Sequence, residues 1–161
     1  STVINVGCAE GYYAVGLARR LSCPVWAVDI DAKALQVTQE NARANGVVVE
    51  VMSELPDSVP ADAFWVVDVE GDEGRILNPA VIPELLSAEI LVELHPWKVS
   101  NIYSILVDRF ADTHSIVEIV QGDRSVNQFL MLADLTDEQR WSVASEGRPQ
   151  LMRWLWMRPL G

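Results

Sequence analysis

The chain has 161 residues, 50% of them hydrophobic, and a formal net charge of −11 at pH 7. This composition excludes a disordered chain, and the length suffices for one domain over residues 1–161 with a core of its own. No apolar run reaches the roughly 18 residues of a membrane span, so we expect no membrane partner. The negative charge repels phosphate backbones, which argues against a nucleic acid partner.

The chain opens at Ser1 without Met and enters a strand pattern at once, so we expect that an N-terminal segment is missing. It contains two cysteines, Cys8 and Cys23. One follows the first predicted strand and the other precedes the second. Parallel strands would therefore hold the two thiols about 17–20 Å apart, which is too far for a disulfide. Unpaired cysteines predict a reduced, cytoplasmic protein.

Apolar runs of strand length alternate with segments of helical periodicity along the chain. The predicted strands are 3–6, 24–29, 47–52, 64–69, 88–94, 115–121 and 152–158. The predicted helices are 12–21, 32–45, a broken one at 75–86, 99–110 and 136–145, and residues 128–135 suit either a strand or a helix. This alternation indicates a doubly wound α/β fold. We predict a mostly parallel, seven-stranded, Rossmann-like sheet with an antiparallel last strand.

Local signals mark several element boundaries. Asp31 is a suitable N-cap for the second helix, and Gly46 suits the position after its end. Thr136 and Gln139 form a capping-box pattern at the start of the last helix. The strand 47–52 is apolar on both faces, which predicts full burial in a parallel sheet.

The turn after the first strand organises the candidate site. Gly7-Cys8-Ala9-Glu10-Gly11 joins this strand to the first helix. Its glycines permit positive φ and the close approach of a ligand to the backbone. In an open α/β sheet such a turn lies at the carboxyl end of a strand, where ligands bind. The spacing differs from the dinucleotide-binding G-x-G-x-x-G, and alone it is equally typical of a plain strand–helix turn.

Two acids define the ligand more closely. Asp29 ends the second strand, where a carboxylate accepts hydrogen bonds from both hydroxyls of a ribose; the alternative is a solvated acid at a strand end. Glu10 lies in a turn that has no basic residue for a pyrophosphate. A carboxylate there favours a cationic ligand such as S-adenosylmethionine, or it only complements the positive end of the following helix.

Together these residues resemble class I S-adenosylmethionine-dependent methyltransferases, and within them the FkbM-type group. The matching segments are residues 5–13, 28–31 with Asn41 and Asn45 downstream, 68–73 and 92–96. The acidic segment Asp68-Val-Glu-Gly-Asp-Glu73, which follows the fourth strand, is the most specific of them. One departure is Asn5, which stands where an acid is common in the first motif and so lacks its charge.

The resemblance implies a methyltransferase fold with an S-adenosylmethionine site at the carboxyl edge of the sheet. Gly7, Ala9 and Gly11 would line the cofactor, Asp29 would bind the ribose, and Asp68 would lie near the methionine end. The candidate cofactor-binding residues are Asn5, Gly7, Cys8, Ala9, Glu10, Gly11, Tyr13, Asp29, Ile30, Ser53 and Asp68.

Methyl transfer from a sulfonium is an in-line displacement that depends on positioning, and a hydroxyl acceptor also needs a base. His95 follows the fifth strand, and its ordinary pKa of about 6.5 suits that role; a structural histidine at the strand end is equally compatible. With Asp68 and Glu70 it forms the candidate catalytic set. Asp68, Glu93 and His95 also allow a looser Mg²⁺ site, but hydrogen bonding of the acids is favoured, and we expect no metal.

The sequence thus predicts an S-adenosylmethionine-dependent methyltransferase that methylates an oxygen of a small-molecule or saccharide-like acceptor. Two alternatives remain open. One is a non-catalytic cofactor-binding or interaction module, and the other, less favoured because the third glycine is missing, is a nicotinamide-dinucleotide oxidoreductase. Trp154 and Trp156 predict sheet core or, if the last strand is uncovered, a homodimer surface. We expect the late arginines Arg148, Arg153 and Arg158 to pair with acids.

Overall fold

A computed structural model describes residues 1–122, 125–145 and 148–161. Its strands are β1 Val3–Val6, β2 Val25–Val28, β3 Glu50–Met52, β4 Phe64–Val67, β5 Glu89–Leu94, β6 His114–Val120 and β7 Arg153–Pro159. Its α-helices are α1 Tyr12–Leu21, α2 Ala32–Ala44, α3 Glu73–Ile76, α4 Ile102–Phe110 and α5 Asp137–Ser145. Short 3₁₀ turns lie at Pro83–Leu86, Val126–Gln128 and Leu130–Leu132.

The strands form one seven-stranded sheet in the order β3-β2-β1-β4-β5-β7-β6. Strands β1 to β5 pair in parallel, and β7 pairs antiparallel with both β5 and β6. The predicted mostly parallel sheet with an antiparallel last strand is therefore confirmed. The strand order reverses between β1 and β4, and the carboxyl ends of strands at such a switch point enclose a ligand crevice.

Side chains alternate between two buried clusters, because successive residues of a strand point to opposite faces. Ile4 of β1 and Trp65 of β4 belong to one cluster. Their chain neighbours Val3 and Val66 belong to the other. The central strands are thus buried on both faces, which holds the two turns at their carboxyl ends in fixed positions.

The predicted caps are present. The carboxylate of Asp31 accepts a hydrogen bond from the Lys33 N–H at 2.9 Å at the start of α2. At α5 the Gln139 N–H donates to the Thr136 hydroxyl at 3.3 Å, and the Thr136 N–H donates to the Gln139 side chain at 2.9 Å. This reciprocal pair is the predicted capping box, which satisfies two backbone donors that have no partner inside the helix.

Strand β3 differs from its prediction. It covers only Glu50–Met52, and Val48, which was predicted to be buried, is 89% exposed. The physical reason is its place in the sheet, since β3 is an edge strand with β2 as its one neighbour. A run of valines therefore did not indicate a strand that is covered on both faces.

Two further segments also differ. The broken helix predicted at 75–86 is reduced to α3 and the 3₁₀ turn Pro83–Leu86, because Pro79 and Pro83 have no N–H to donate within a helix. Residues 128–135 form 3₁₀ turns, not a strand. Cys8 and Cys23 are both unpaired, as predicted. None of the helices in the described part of the chain has the length and hydropathy needed to cross a membrane.

Candidate active site

The turn after β1 lies against the ends of its neighbouring strands. The N–H groups of Gly7 and Cys8 donate to the Val28 carbonyl oxygen at 2.9 and 3.2 Å. Gly7 has a φ of +76°, and a Cβ added to it would lie 1.7 Å from the Asp68 carbonyl oxygen. Glycine is therefore required for the backbone after β4 to lie against the turn.

Asp29 fixes the same turn from the second strand. Its Oδ2 accepts a hydrogen bond from the Ala9 N–H at 2.9 Å, and its Oδ1 accepts one from the Asp31 N–H at 2.9 Å. Ala9 has a φ of +46°, an uncommon conformation for a residue other than glycine. Each carboxylate oxygen can accept a second hydrogen bond, so Asp29 can hold the turn and still bind a ligand.

His95 follows β5 directly and is 1% exposed. Its Nδ1 lies 2.5 Å from Oε1 of the fully buried Glu73, and its Nε2 lies 3.5 Å from both Asp68 Oδ1 and Glu70 Oε1. Burial lowers the pKa of His95, but the hydrogen bond with Glu73 and the surrounding carboxylates raise it more, so its pKa lies above the ordinary value. The imidazole thus joins the acidic loop after β4 to the end of β5.

A cavity of about 550 Å³ opens at the carboxyl ends of β1, β2 and β4. Hydrogen-bonding side chains are supplied to its lining by Asp29, Ser53 and Glu54 and, after β4, by Asp68, Glu70, Asp72 and Arg75. Its apolar walls are formed by Val6, Val28, Ile30, Leu55, Val69, Ile76, Val81 and Ile82. An apolar cavity with a few polar groups at one side is typical of a small-molecule or cofactor site.

A second cavity, of about 630 Å³, lies on the other side of the glycine turn. It shares Gly7, Ala9 and Asp68 with the first cavity, so these residues form a common wall. The remainder of its lining includes Cys8, Glu10, Tyr12, Tyr13, Glu93, Gln121, Arg148 and Trp154. Charged side chains line both cavities, and the second cavity differs from the first in its aromatic side chains.

Four ionisable side chains of the second cavity have shifted pKa values, and one of them is the Cys8 thiol, whose pKa is raised by burial. Burial and the charge of Asp68 raise the pKa of Glu93 to about 7, against the opposing effect of Arg148, which donates a hydrogen bond to Glu93. Burial raises the pKa of Asp68, while His95 acts to lower it. Burial and the charge of Glu93 raise the pKa of Tyr13 to about 12. Groups with such shifts are enriched at functional sites.

The structure brings most of the predicted site residues to these two cavities. The first cavity contains Asp29, Ile30, Ser53 and Glu70, the second contains Cys8, Glu10 and Tyr13, and the common wall contains Gly7, Ala9 and Asp68.

Asn5, Gly11 and His95 do not line either cavity, so their predicted direct contacts need correction. Asn5 is fully buried, and its side-chain amide donates to the Val66 carbonyl oxygen at 3.2 Å. A Cβ on Gly11 would lie 2.9 Å from the Thr38 side chain, so this glycine serves the packing of the turn against α2. His95 contacts the cavity linings through Asp68 and Glu70, whose carboxylate oxygens each lie 3.5 Å from its Nε2.

Sequence reasoning did not identify the partners of these side chains. Glu73 was identified only as part of the acidic segment after the fourth strand, yet it is the buried partner of His95, and no local pattern links two residues that are this far apart. Pairing with acids was predicted for all three late arginines, and Arg148 and Arg153 pair with Glu93 and Glu118. Arg158 instead lies over the ring of Trp156, at 4.5 Å from its centroid.

The part of the chain that contains the glycine turn is similar to known methyltransferases. Residues 3–71 match a family model described as "Methyltransferase domain". The chain is 39% identical over 66 residues to the ribosomal protein L11 methyltransferase of Rhodopseudomonas palustris, which is 40% of this chain and 22% of that protein. It is 42% identical over 59 residues to the enzyme of the same name from Alteromonas mediterranea, covering 37% of this chain and 20% of that protein. The chain thus spans about a fifth of the curated relatives that it matches.

Solved structures show the same fold over the whole chain. An rRNA methylase from Streptococcus thermophilus aligns with a TM-score of 0.62 and 10% identity, covering 100% of this chain and 87% of that one. A chain of the fibrillarin/Nop5p complex aligns with a TM-score of 0.65 and 12% identity, covering 99% of this chain and 72% of that one. A ribosomal protein L11 methylase from Lactobacillus delbrueckii subsp. bulgaricus aligns with a TM-score of 0.60 and 17% identity, covering 98% of this chain and 69% of that one.

The fold of the chain is the Rossmann-like fold of these solved methyltransferase structures. Residues 3–71, less than half of the chain, match the methyltransferase model, and a domain of this kind implies S-adenosylmethionine as the methyl donor. The match over residues 3–71 agrees with the predicted enzyme class and the predicted cofactor. The comparisons do not show the FkbM-type subgroup.

One prediction is wrong. The net charge argued against a nucleic acid partner, but the curated relatives are named for a ribosomal protein and the structural neighbours include an rRNA methylase and the fibrillarin/Nop5p complex. The physical reason is that a net charge averages over the whole surface. It does not describe a local contact area, which sets how a macromolecule binds.

Proposed function

We propose that the chain transfers the methyl group of S-adenosylmethionine to an acceptor at the boundary between its two cavities. The observation that carries this proposal is the common wall of Gly7, Ala9 and Asp68. S-adenosylmethionine consists of an adenosine half and a methionine half, joined at the sulfonium that bears the methyl group. The adenosine occupies the first cavity, and the methyl group faces the second.

The first cavity suits an adenosine. Asp29 keeps free lone pairs on oxygens that already hold the turn, and these accept hydrogen bonds from the two ribose hydroxyls. Ser53 and Glu54 supply polar groups for the edge of the adenine. Ile30, which is 93% exposed, and Leu55 offer apolar surface to its ring.

The charge of the second cavity suits a sulfonium and an amino group. Glu10, Asp68 and Glu93 place carboxylates around the common wall, and Arg148, paired with Glu93, is the cation that accompanies them. Carboxylates attract a cationic cofactor and repel a pyrophosphate. This arrangement supports S-adenosylmethionine over the nicotinamide dinucleotide of the alternative hypothesis.

For the chemical step we assign Asp68 as the proton acceptor. It lies in the common wall, and burial raises its pKa, which makes it a better base. The acceptor atom forms a bond to the methyl carbon, the carbon–sulfur bond breaks with its electron pair going to sulfur, and the acceptor's proton passes to Asp68. His95 and Glu70 act as positioning residues. His95 Nε2 lies 3.5 Å from Asp68 Oδ1 and 3.5 Å from Glu70 Oε1.

We propose a macromolecular acceptor, and within that class a basic protein such as a ribosomal protein. The curated relatives are ribosomal protein L11 methyltransferases. The carboxylates of Glu10, Asp68 and Glu93 at the second cavity also attract a basic protein, because opposite charges accelerate encounter. O-methylation of a small-molecule or saccharide-like acceptor is the second candidate, and it is supported by the FkbM-like segment from Asp68 to Glu73.

Calorimetric titration with S-adenosylmethionine and with its demethylated product tests the cofactor assignment. We expect both to bind, and Asp29→Ala to weaken binding at least about tenfold, as expected for the loss of charged hydrogen bonds. Asp57→Ala, which removes an exposed acid outside both cavities, is the matched control. Absence of binding by the wild-type chain would refute the proposal.

Transfer of a labelled methyl group tests the acceptor. The wild-type chain and an Asp68→Asn variant are incubated with labelled S-adenosylmethionine and, separately, with basic ribosomal proteins, rRNA and a panel of hydroxylated small molecules. We expect label in the protein fraction and its loss with Asp68→Asn. Label in rRNA or in the small molecules alone would replace the proposed acceptor, and cofactor binding without transfer to any of them would support a non-catalytic module.

A further inference from the structure

Two buried polar atoms at the common wall lack the hydrogen-bond partners that buried polar groups normally have. His95 Nε2 is buried and has no hydrogen-bond partner among the described residues, and the same is true of Asp68 Oδ1. The two atoms lie 3.5 Å apart, and the Glu93 carboxylate completes a group whose ligand atoms all lie within 4.8 Å of one another. We propose that Asp68, Glu93 and His95 bind a divalent first-row transition metal ion.

The distance between His95 Nε2 and Asp68 Oδ1 suits two ligands of one metal ion better than a direct hydrogen bond. Ligand atoms that are each about 2.1 Å from a metal lie about 3.0 Å apart at a right angle and about 3.4 Å apart at a tetrahedral angle. The separation of 3.5 Å between His95 Nε2 and Asp68 Oδ1 is close to the second value. Glu70 Oε1 lies at the same distance from Nε2, and its exposed side chain is available as a fourth ligand.

The surroundings of His95 match those of a metal-binding histidine. Its Nδ1 is held at 2.5 Å by Glu73 Oε1, and the same oxygen accepts a hydrogen bond from the Gly71 N–H at 3.0 Å. A histidine that binds a metal through one ring nitrogen almost always has a carboxylate, carbonyl or water on the other. Glu73 therefore fixes the ring so that Nε2 points toward Asp68 and Glu70.

The pairing of Glu93 with Arg148 is compatible with this site. Arg148 Nη1 donates to Glu93 Oε1. A carboxylate has two oxygens and about four lone pairs, so Glu93 can hold the guanidinium and still bind a metal. An imidazole nitrogen together with carboxylate oxygens favours Mn²⁺, Fe²⁺ or Zn²⁺ over Mg²⁺, which prefers oxygen ligands alone.

The position of the site gives it a role that rests on the proposed function. Asp68 lines both cavities and Glu93 lines the second. A metal ion bound there is a Lewis acid beside the acceptor. This inference replaces the expectation from sequence that no metal is bound.

Mn²⁺ is the probe for this site, because its paramagnetic resonance reports both binding and ligand type. The full chain, freed of metal with a chelator, is titrated with Mn²⁺ without cofactor or acceptor. We expect one Mn²⁺ per chain and a nitrogen coupling from the imidazole in pulsed spectra. His95→Gln should abolish that coupling, and His95→Gln and Asp68→Asn should each weaken binding at least about tenfold.

Asp72→Asn is the matched control, since Asp72 lies in the same loop but is exposed and pairs with Arg75; its Mn²⁺ affinity should equal that of the wild type. Absence of Mn²⁺ binding, or binding without nitrogen coupling in the wild-type chain, would overturn the proposal. The wild-type spectrum decides the matter even where a variant does not fold. Calorimetric binding of S-adenosylmethionine is measured separately, so failure of the metal site and failure of the proposed function are distinguishable.

Discussion

Gly7 offers the most direct test of how the candidate site is built. The perturbation is Gly7→Ala, which adds a single methyl group. That Cβ would lie 1.7 Å from the Asp68 carbonyl oxygen, and real Cβ atoms essentially never come closer than 3.0 Å. The turn after β1 and the backbone after β4 must therefore separate by about 1.3 Å, which changes the common wall of the two cavities.

The expected loss of stability has two parts. An alanine at a φ of +76° costs about 1–2 kcal/mol relative to its preferred conformation. The forced shift of packed backbone costs about 1–3 kcal/mol more, as other overpacked sites do. We therefore expect Gly7→Ala to lower the free energy of unfolding by about 2–5 kcal/mol, out of a total of about 5–15 kcal/mol for a typical domain.

Two other glycines distinguish the conformational cost from the packing cost. Gly46 has a φ of +65° but no atom within 4 Å of an added Cβ, so Gly46→Ala should show the conformational cost alone. Gly16 lies in α1 with no atom within 4 Å of an added Cβ, so Gly16→Ala should stabilise the chain by about 0.5–1 kcal/mol. Urea unfolding measures all three variants, and calorimetry measures their S-adenosylmethionine affinity.

The comparison between Gly7→Ala and Gly46→Ala decides the matter. We expect the Gly7 variant to lose more stability and, because the common wall moves, at least about tenfold in S-adenosylmethionine affinity. Equal losses of stability in the two variants, with cofactor affinity unchanged in both, would refute the reasoning. It would show that the backbone after β4 can lie against the turn after β1 without a glycine at position 7.

Three further predictions concern other residues of the site. Asp29→Asn keeps the size of the side chain but removes its charge, so it should weaken S-adenosylmethionine binding by about 1–2 kcal/mol in calorimetry; unchanged affinity would contradict the ribose role. Cys8 is 3% exposed and burial raises the pKa of its thiol, so at pH 8 iodoacetamide should modify Cys23 at least about tenfold faster, as read by peptide mass spectrometry, and in urea the two rates should converge. Asn5→Asp places a carboxylate against the Val66 carbonyl oxygen in a fully buried position, so urea unfolding at pH 7 should show a loss of about 3–5 kcal/mol; a loss below about 1 kcal/mol would show that this carboxylate is solvated or protonated.

The part of the fold that could be predicted from sequence depends on local patterns. The glycine turn, the capping box at Thr136 and the acid at Asp29 are signals carried by a few neighbouring residues, and the structure has each in its predicted place. The antiparallel last strand was predictable because an α/β sheet of this kind leaves one apolar run at the end of the chain. Such features need no knowledge of which distant segments meet.

What escaped prediction depends on distant contacts. Val48 is exposed because β3 is an edge strand, and nothing in the valine run indicates which strands lie at an edge. His95 was predicted to act in the cavity, but Glu73 and Asp68 enclose it from another loop. The contact between Gly7 and Asp68, which divides the site into two cavities, joins residues from the ends of two strands that are far apart in the sequence.

The place of β7 in the sheet has a consequence for how the chain is synthesised. β7 is the last strand in the described part of the sequence, yet it occupies an interior position between β5 and β6. Until Arg153–Pro159 leaves the ribosome, β6 has no partner strand and β5 keeps an open apolar edge. Open edges of this kind associate readily with other chains. We therefore expect nascent chains that stop before residue 153 to depend on chaperones. The pairing of β7 with β5 and β6 should end that dependence.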